Sequence, residues 1–393
     1  MLNTPFSPWP SFTEEEANAV RDVVLSNKVN YWTGQECRDF EREFAAWSGT
    51  EHAVALANGT VALDLALNAL GIGEGDEVVV TSRTFLASAS SIVTARAVPV
   101  FADVDPNSQA ITAESIAAVL TPRTRAIICV HLAGWPCDMD PIMALANAHG
   151  LFVIEDCAQA HGALYKGRPV GSIGHIGAWS FCQDKIMTTG GEGGMVTTND
   201  AGLWSSMWSF KDHGKSWEAV YEREHAPGFR WLHERFGTNW RMLEVQAIIG
   251  RIQLRRMQAW QAARIDNARR IWQRASSLAG LRVPVIPEDI RHAAYKCYVF
   301  VEPSRLKPGW DRDRIQSEIT EQGVPCYAGT CSEVYLEKAF DGTGWRPECR
   351  LPVAKELGET SLMFLVHPTL EPQEIEKTCD VLASVMALAA ADQ

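Results

Sequence analysis

The chain has 393 residues, 46% of them hydrophobic and 21% charged, with a formal net charge of −12. These are ordinary values for a globular protein in water. The acidic balance excludes a protein that grips nucleic acid through sequence-independent phosphate contacts, because such binding needs basic surface.

The length is too great for one small core and predicts one large and one smaller domain; a change of texture after Gly280 places them over 1–280 and 281–393. No stretch approaches the ~20 apolar residues that cross a bilayer. The first sixteen residues have neither a basic start nor a long apolar run, so no signal peptide is expected. The ten cysteines are scattered, and Cys326 and Cys331 lack zinc-ribbon spacing. They read as reduced thiols of a cytoplasmic protein, with no metal site.

In chain order, helix-like stretches at 60–70, 86–95, 113–120 and 139–149 alternate with β-branched runs at 77–82, 98–104, 125–132 and 151–155. Such alternation predicts a mainly parallel sheet covered on both faces. Two more strands are expected at 178–182 and 194–198. From 240 to about 279, apolar residues recur every three or four positions, which predicts a long helix whose many arginines lie on a solvated or interface face. Beyond Gly280 the texture turns to Pro-rich strands and short helices.

The chemistry concentrates in AWSFCQDKIMTTGGEGGMVTTND, residues 178–200. Lys185 follows a strand and precedes a Gly-rich turn. A lone lysine normally sits in solvent, but a Schiff-base lysine needs this setting, since the backbone must bend closely past a fixed carbonyl. Three other segments supply what pyridoxal phosphate would require. Glu155 and Asp156 end an apolar strand, where ligands bind in open parallel sheets. Alternation lets only one of the pair face a protonated pyridine nitrogen, and Asp156 is the choice; Gln159 could reach the ring hydroxyl. Gly59 and Thr60 open a helix and offer N–H groups and a hydroxyl to a phosphate, and Ser180 could add a second hydroxyl. Phe85 could stack on the ring.

The succession NGT, TFLAS, EDCAQAHG, SFCQDK, GGEGG and GTNWRM, running from about Asn30 to the HPTL stretch, resembles the DegT/StrS-type family of nucleotide-sugar aminotransferases. The resemblance implies an α/β, aspartate-aminotransferase-like fold of type I, with a mainly parallel seven-stranded sheet and a smaller α+β C-terminal domain. It implies that Lys185 carries the cofactor, Asp156 pairs with the pyridine nitrogen, Gln159 holds the ring, Phe85 stacks on it, and Gly59, Thr60 and Ser180 bind the phosphate. It also implies that Asn239 reaches the phosphate of a neighbouring subunit, so that a homodimer shares its active sites.

By the same resemblance the donor is L-glutamate and the acceptor a nucleotide-linked keto sugar, in the 4-keto-6-deoxy form that the Thr188–Thr189 pair suggests. The turn after Lys185 departs from the commoner family form by one added glycine. His213, Lys215, Tyr31, Trp32 and Tyr327 are further substrate candidates, with Tyr335 and His367 also within reach from the smaller domain. Relatives with histidine at the lysine position dehydrate their sugars, and Lys185 argues against that. A cyclitol ketone as acceptor, or a non-catalytic regulatory scaffold, are the alternatives.

Overall fold

The computed structural model describes residues 2 and 4–391. Two helices, α1 (Glu14–Leu25) and α2 (Glu36–Ser48), precede the first strand, β1 (His52–Leu56). The alternation follows: α3 (Gly59–Ala69), β2 (Glu77–Thr81), α4 (Ala87–Thr94), β3 (Val98–Ala102), α5 (Ala113–Ala117), β4 (Thr124–Val130), α6 (Met139–His149) and β5 (Phe152–Asp156). Two short strands, β6 (Leu164–Tyr165) and β7 (Arg168–Pro169), lead to β8 (Ile176–Ser180) and β9 (Gly194–Thr198). Then come α7 (Ala201–Lys211), α8 (Trp217–Tyr221) and the 33-residue α9 (Glu244–Ser276). The rest comprises β10 (Leu281–Arg282), β11 (Ile290–Arg291), β12 (Cys297–Val301), α10 (Arg312–Glu321), β13 (Cys326–Tyr327), α11 (Pro352–Thr360), β14 (Ser361–Phe364) and α12 (Pro372–Ala389).

The main sheet has seven strands in the order β1-β9-β8-β5-β4-β2-β3. From β8 to β3 every pairing is parallel, while β9 runs antiparallel to both β8 and β1. The EVVVT of β2 and the IGAWS of β8 are buried along their whole length, as strands covered by helices on both faces must be. β1 is the strand the sequence reading does not name. Its HAVAL has alanine at alternate positions, which weakens the β signal. A second, antiparallel sheet, β10-β12-β14-β13, forms the smaller core with α12 and the end of α9.

One seam of α9 is buried: Ala247, Gly250, Leu254, Met257, Arg264, Ala268, Ile271 and Ala275 follow at intervals of three, four or seven. At Gly250 a Cβ would stand 2.6 Å from the Phe40 ring, so the glycine sets the close approach of α9 to α2. The arginine face expected to be solvated or at an interface is both. Arg251 pairs with Glu36, Asp39 and Glu43 on α2, and Arg256 with Glu15 and Glu16 on α1. Arg264 is fully buried. Arg255, Arg269 and Arg274, by contrast, are exposed, so the arginines of α9 divide between an interface with α1 and α2 and a solvated face.

Gly171 combines two constraints. Its φ is +81°, and a Cβ would lie 2.4 Å from the Trp179 ring. Overpacking and left-handed strain together predict that Gly171→Ala lowers the unfolding free energy by about 2–4 kcal/mol, which urea denaturation would measure.

Candidate active site

A cavity of about 660 Å³ opens where β5 and β8 end and α3 begins. Ligands sit at this edge of open parallel sheets. The strand β5 delivers its last two residues to opposite faces. Glu155 turns inward and accepts hydrogen bonds from the backbone of Gly171 (2.8 Å), Ile173 (2.8 Å) and Gly174 (2.6 Å), and pairs with His131 Nε2 at 2.9 Å. Burial alone would raise its pKa, but His131 and the backbone donors outweigh burial and hold it below the usual carboxylate range. The Cys137 N–H donates to His131 Nδ1, which places the imidazole proton on Nε2, toward Glu155.

Asp156 turns to the cavity. It accepts from Ser88 Oγ at 2.8 Å and from the Ala158 N–H at 3.1 Å. Burial dominates here and pushes its pKa up, against the pull of Ser88, Ala158, Lys185 and His131. Such an acid is completed by a cation placed against it.

The other walls meet Asp156 from separate elements. Asn58 caps α3 by accepting from the Val61 N–H, which leaves the first turn facing the cavity. At Gly59 a Cβ would lie 2.5 Å from Ser180 Cβ, and at Gly194 one would lie 2.2 Å from the Asn58 carbonyl oxygen. The two glycines let the α3 turn, β8 and β9 close on one another. Ser180 Oγ accepts from the Cys182 N–H and keeps its own proton to donate. The Ala133 N–H donates to Gln159 Oε1 at 2.8 Å, which leaves the amide nitrogen of Gln159 as its free donor. Phe85 lines the mouth with its ring 67% exposed, an apolar face with no protein partner covering it. Lys185 lines the cavity from the loop after β8, and its carbonyl accepts from Trp9 Nε1 at 2.9 Å.

Seven of the eight expected cofactor residues thus share one cavity: Gly59, Thr60, Phe85, Asp156, Gln159, Ser180 and Lys185. The set fits pyridoxal phosphate in kind. A helix start with two hydroxyls could hold a phosphate, Asp156 a ring N–H⁺, Gln159 a ring hydroxyl, Phe85 a ring face and Lys185 an aldehyde. Asn239 lies exposed outside this cavity, bridged to Asp212.

The substrate candidates divide. Tyr327 lines a second chamber of about 330 Å³ that shares Phe85, Gln159, Asp184 and Lys185 with the first. His213 lies in a separate hollow with His233 and Phe236. Lys215 Nζ stands 4.0 Å from the Trp32 ring centre and 3.7 Å from Asp212, and neither Lys215 nor Trp32 lines the cavity. Tyr31 is a correction: it is 1% exposed, its hydroxyl donating to Glu41 and accepting from Trp208 Nε1, and it meets no ligand space. Tyr335 is likewise buried, bonded to Glu333, and His367 stacks under Trp9.

Sequence reasoning missed Ser88, Trp9, Tyr295 and Lys296. None had a local signal: even Ser88, whose Oγ lies 2.8 Å from Thr84 Oγ1, meets there a residue that precedes α4 and shares no helix face with it. The ligand atoms of His131, Glu155 and Cys157 lie within 4.8 Å of one another. The imidazole and carboxylate are committed to the hydrogen bonds above, and burial pushes the Cys157 thiol up, so the cluster serves packing. All ten cysteines are free thiols.

The fold is that of the type I aminotransferases. The chain belongs to the DegT/DnrJ/EryC1/StrS aminotransferase family, whose model matches residues 10–383. It is a pyridoxal-phosphate-dependent transaminase. The crystal structure of an aminotransferase from Psychrobacter cryohalolentis superposes with a TM-score of 0.96 at 65% identity, covering 98% of this chain and 99% of that one. The UDP-N-acetyl-3-dehydro-α-D-glucosamine 3-aminotransferase of Acidithiobacillus ferrooxidans is 36% identical over 92% of this chain and 94% of its own. The GDP-perosamine synthase of Escherichia coli O157:H7 is 33% identical over 94% of this chain and 95% of its own.

Three buried histidines frame an acid sensitivity. Burial draws His161, His292 and His367 each down to about 3, with Lys185 and Arg264 adding to the effect at His161, and Arg264 and Lys296 at His367. Unfolded histidine titrates near 6.5, so below that pH the unfolded chain binds protons the native one refuses, and stability drains as pH falls from 6.5 toward 3. The expected loss between pH 7 and pH 5 is about 2 kcal/mol per histidine. Urea denaturation at both pH values should show it, with a shallower pH slope in His292→Gln; equal stability would mean that these rings protonate inside the fold.

Proposed function

We propose that the protein transfers the amino group of L-glutamate to a nucleotide-linked keto sugar, in the 4-keto-6-deoxy form, and that Lys185 is the residue that holds the cofactor and moves the proton. The observation that carries this is the convergence of Lys185 and Asp156 in one cavity with a helix start, two hydroxyls and an uncovered phenylalanine ring. When bound, pyridoxal phosphate supplies an electron sink for the bonds at the amino-bearing carbon.

The rest of the proposal concerns the chain's own groups. Asp156, oriented by Ser88, would keep a proton on the pyridine nitrogen. Gly59, Thr60 and Ser180 would hold the phosphate, Phe85 would offer its ring to one face, and Gln159 would donate to the ring hydroxyl. Lys185 would hold the cofactor's aldehyde carbon, and its amine, when free, would serve as general base at the donor α-carbon and return the proton as general acid. The sugar half-reaction runs the same steps in reverse, so the kinetics are ping-pong.

The nucleotide-sugar reading is supported by relatives named for UDP- and GDP-linked substrates. The choice of carbon 4 rests on the Thr188–Thr189 form alone, and one of those relatives is named a 3-aminotransferase. The proposal includes a cytoplasmic homodimer, with Asn239 serving the partner's phosphate and His213, Lys215 and Trp32 available to the substrate near the shared site. Phe229, Trp231 and Phe236, exposed at 77%, 82% and 99%, support such an interface. Among the described residues no helix is long and apolar enough to cross a membrane. The division at 280/281 is the matching proposal for the domains: the end of α9 packs into the smaller core.

The test is the near-visible spectrum of the cofactor-loaded protein. Wild type should show the absorption band of a lysine-bound cofactor, L-glutamate should abolish it, and a nucleotide keto sugar should restore it. Lys185→Ala should lack the band and lose at least about 10³-fold in turnover. A wild-type band that glutamate leaves unchanged overturns the proposal.

A further inference from the structure

Beside Lys185 the second chamber carries more positive charge than its walls compensate. Its large-domain side is Phe85, Gln159, Asp184 and Lys185, and its small-domain side includes Tyr295, Lys296, Tyr298 and Tyr327. Lys296, just before β12, and Tyr298, within it, both line the chamber, while Cys297 between them enters the smaller core. Asp184 is the one carboxylate lining this chamber, and the Tyr295 hydroxyl already donates to it. Burial would raise the Asp184 carboxyl, but Lys185, the Tyr295 hydroxyl and Lys296 outweigh burial and hold it below its usual range. It faces Lys185 and Lys296 together, and the buried Arg264 stands near enough to act on Lys296.

No carboxylate lies within ion-pair distance of Lys296 among the described residues, and its Nζ rests 4.8 Å from the Tyr295 ring centre. Burial, with Arg264 and Lys185 adding to it against Asp184, draws its ammonium down to about 8. A lysine kept beside another cation in a partly closed space is completed by an anion brought in from outside.

We infer that Lys296 is the group that recognises the carboxylate of the amino donor, in a chamber that opens directly onto Lys185. The inference rests on the transaminase reading of the same site and adds the donor's recognition to it. The alternative anion is the diphosphate of the sugar substrate. Geometry favours the carboxylate: in an α-amino acid it is bonded to the carbon that loses its proton, so it must lie next to Lys185, whereas the sugar ring separates a diphosphate from the reacting carbonyl.

The probe is glutarate, a five-carbon dicarboxylate without an amine, titrated calorimetrically into the cofactor-loaded enzyme. Wild type should bind it, and Lys296→Met should bind it at least about tenfold more weakly, the size of one lost charge-assisted hydrogen bond. Lys296→Arg should stay within about threefold of wild type, since the positive charge survives. The cofactor band, unchanged in all three proteins, shows that the site is intact. In single turnovers the glutamate half-reaction of Lys296→Met should need correspondingly more glutamate, while the keto-sugar half-reaction keeps its concentration dependence.

Equal glutarate affinity in wild type and Lys296→Met, or a wild type that binds none, overturns the inference. So does a loss confined to the keto-sugar half-reaction, which would assign Lys296 to the diphosphate. Failure of the transaminase reading would look different, because the wild-type band would then ignore glutamate whatever stands at position 296.

Discussion

Two adjacent carboxylates at the end of β5 are given opposite environments, and the site is built on that difference. Glu155 receives three backbone N–H groups and a histidine, so its charge is solvated by the protein itself. In return it fixes the 171–174 turn that leads into β8. Asp156 receives one hydroxyl and one N–H, too little for a buried anion. Replacing a shell of water by two fixed donors leaves a carboxylate whose charged form depends on a cation arriving opposite it. The protein therefore anchors one acid for structure and leaves its neighbour waiting for a ligand.

Much of this could be read from the chain. Strands with β-branched runs declared themselves, because a parallel sheet buried on both faces needs such residues and little else. The local order of Gly59, Thr60, Asp156, Gln159 and Lys185 pointed to the cavity they line, since they lie at the start of α3, at the end of β5, or in the loops just after β5 and β8. What stayed hidden depends on partners distant in sequence. Which α9 arginines face water and which an interface was not legible, because the acids that take Arg251 and Arg256 come from helices more than 200 residues earlier. Tyr31 looked like a ligand aromatic, yet its hydroxyl is fully used by Glu41 and Trp208. The antiparallel course of β9 follows from a Gly-rich loop that folds back from β8, and periodicity within β9 gives no direction.

The same limit concealed the second chamber. Lys296 reads as one more lysine before a strand, and only the docking of the smaller sheet against the loop of Lys185 turns it into a wall of the site. That docking is held at fixed points. The Tyr295 N–H donates to the Ala133 carbonyl, and its hydroxyl donates to Asp184, one residue before Lys185. Arg83 is buried between the two cores, donating to Gln109 on one side and to Ser361 on the other.

The N-terminal segment closes the arrangement. Trp9 donates its indole N–H to the Lys185 carbonyl, stacks on His367 at 5.9 Å and lies under Arg264. Ser7 and Pro8 bond to Glu374 and Thr369 of the smaller unit. The lysine loop is thereby tied by its backbone to a strap and by Asp184 to the smaller domain, while among the described residues the side chain of Lys185 makes no comparable bond, its Nζ lying 5.1 Å from the Tyr295 ring centre. The role proposed for Lys185, holding a cofactor and moving a proton, would need that division: a backbone that cannot drift and an amine that can.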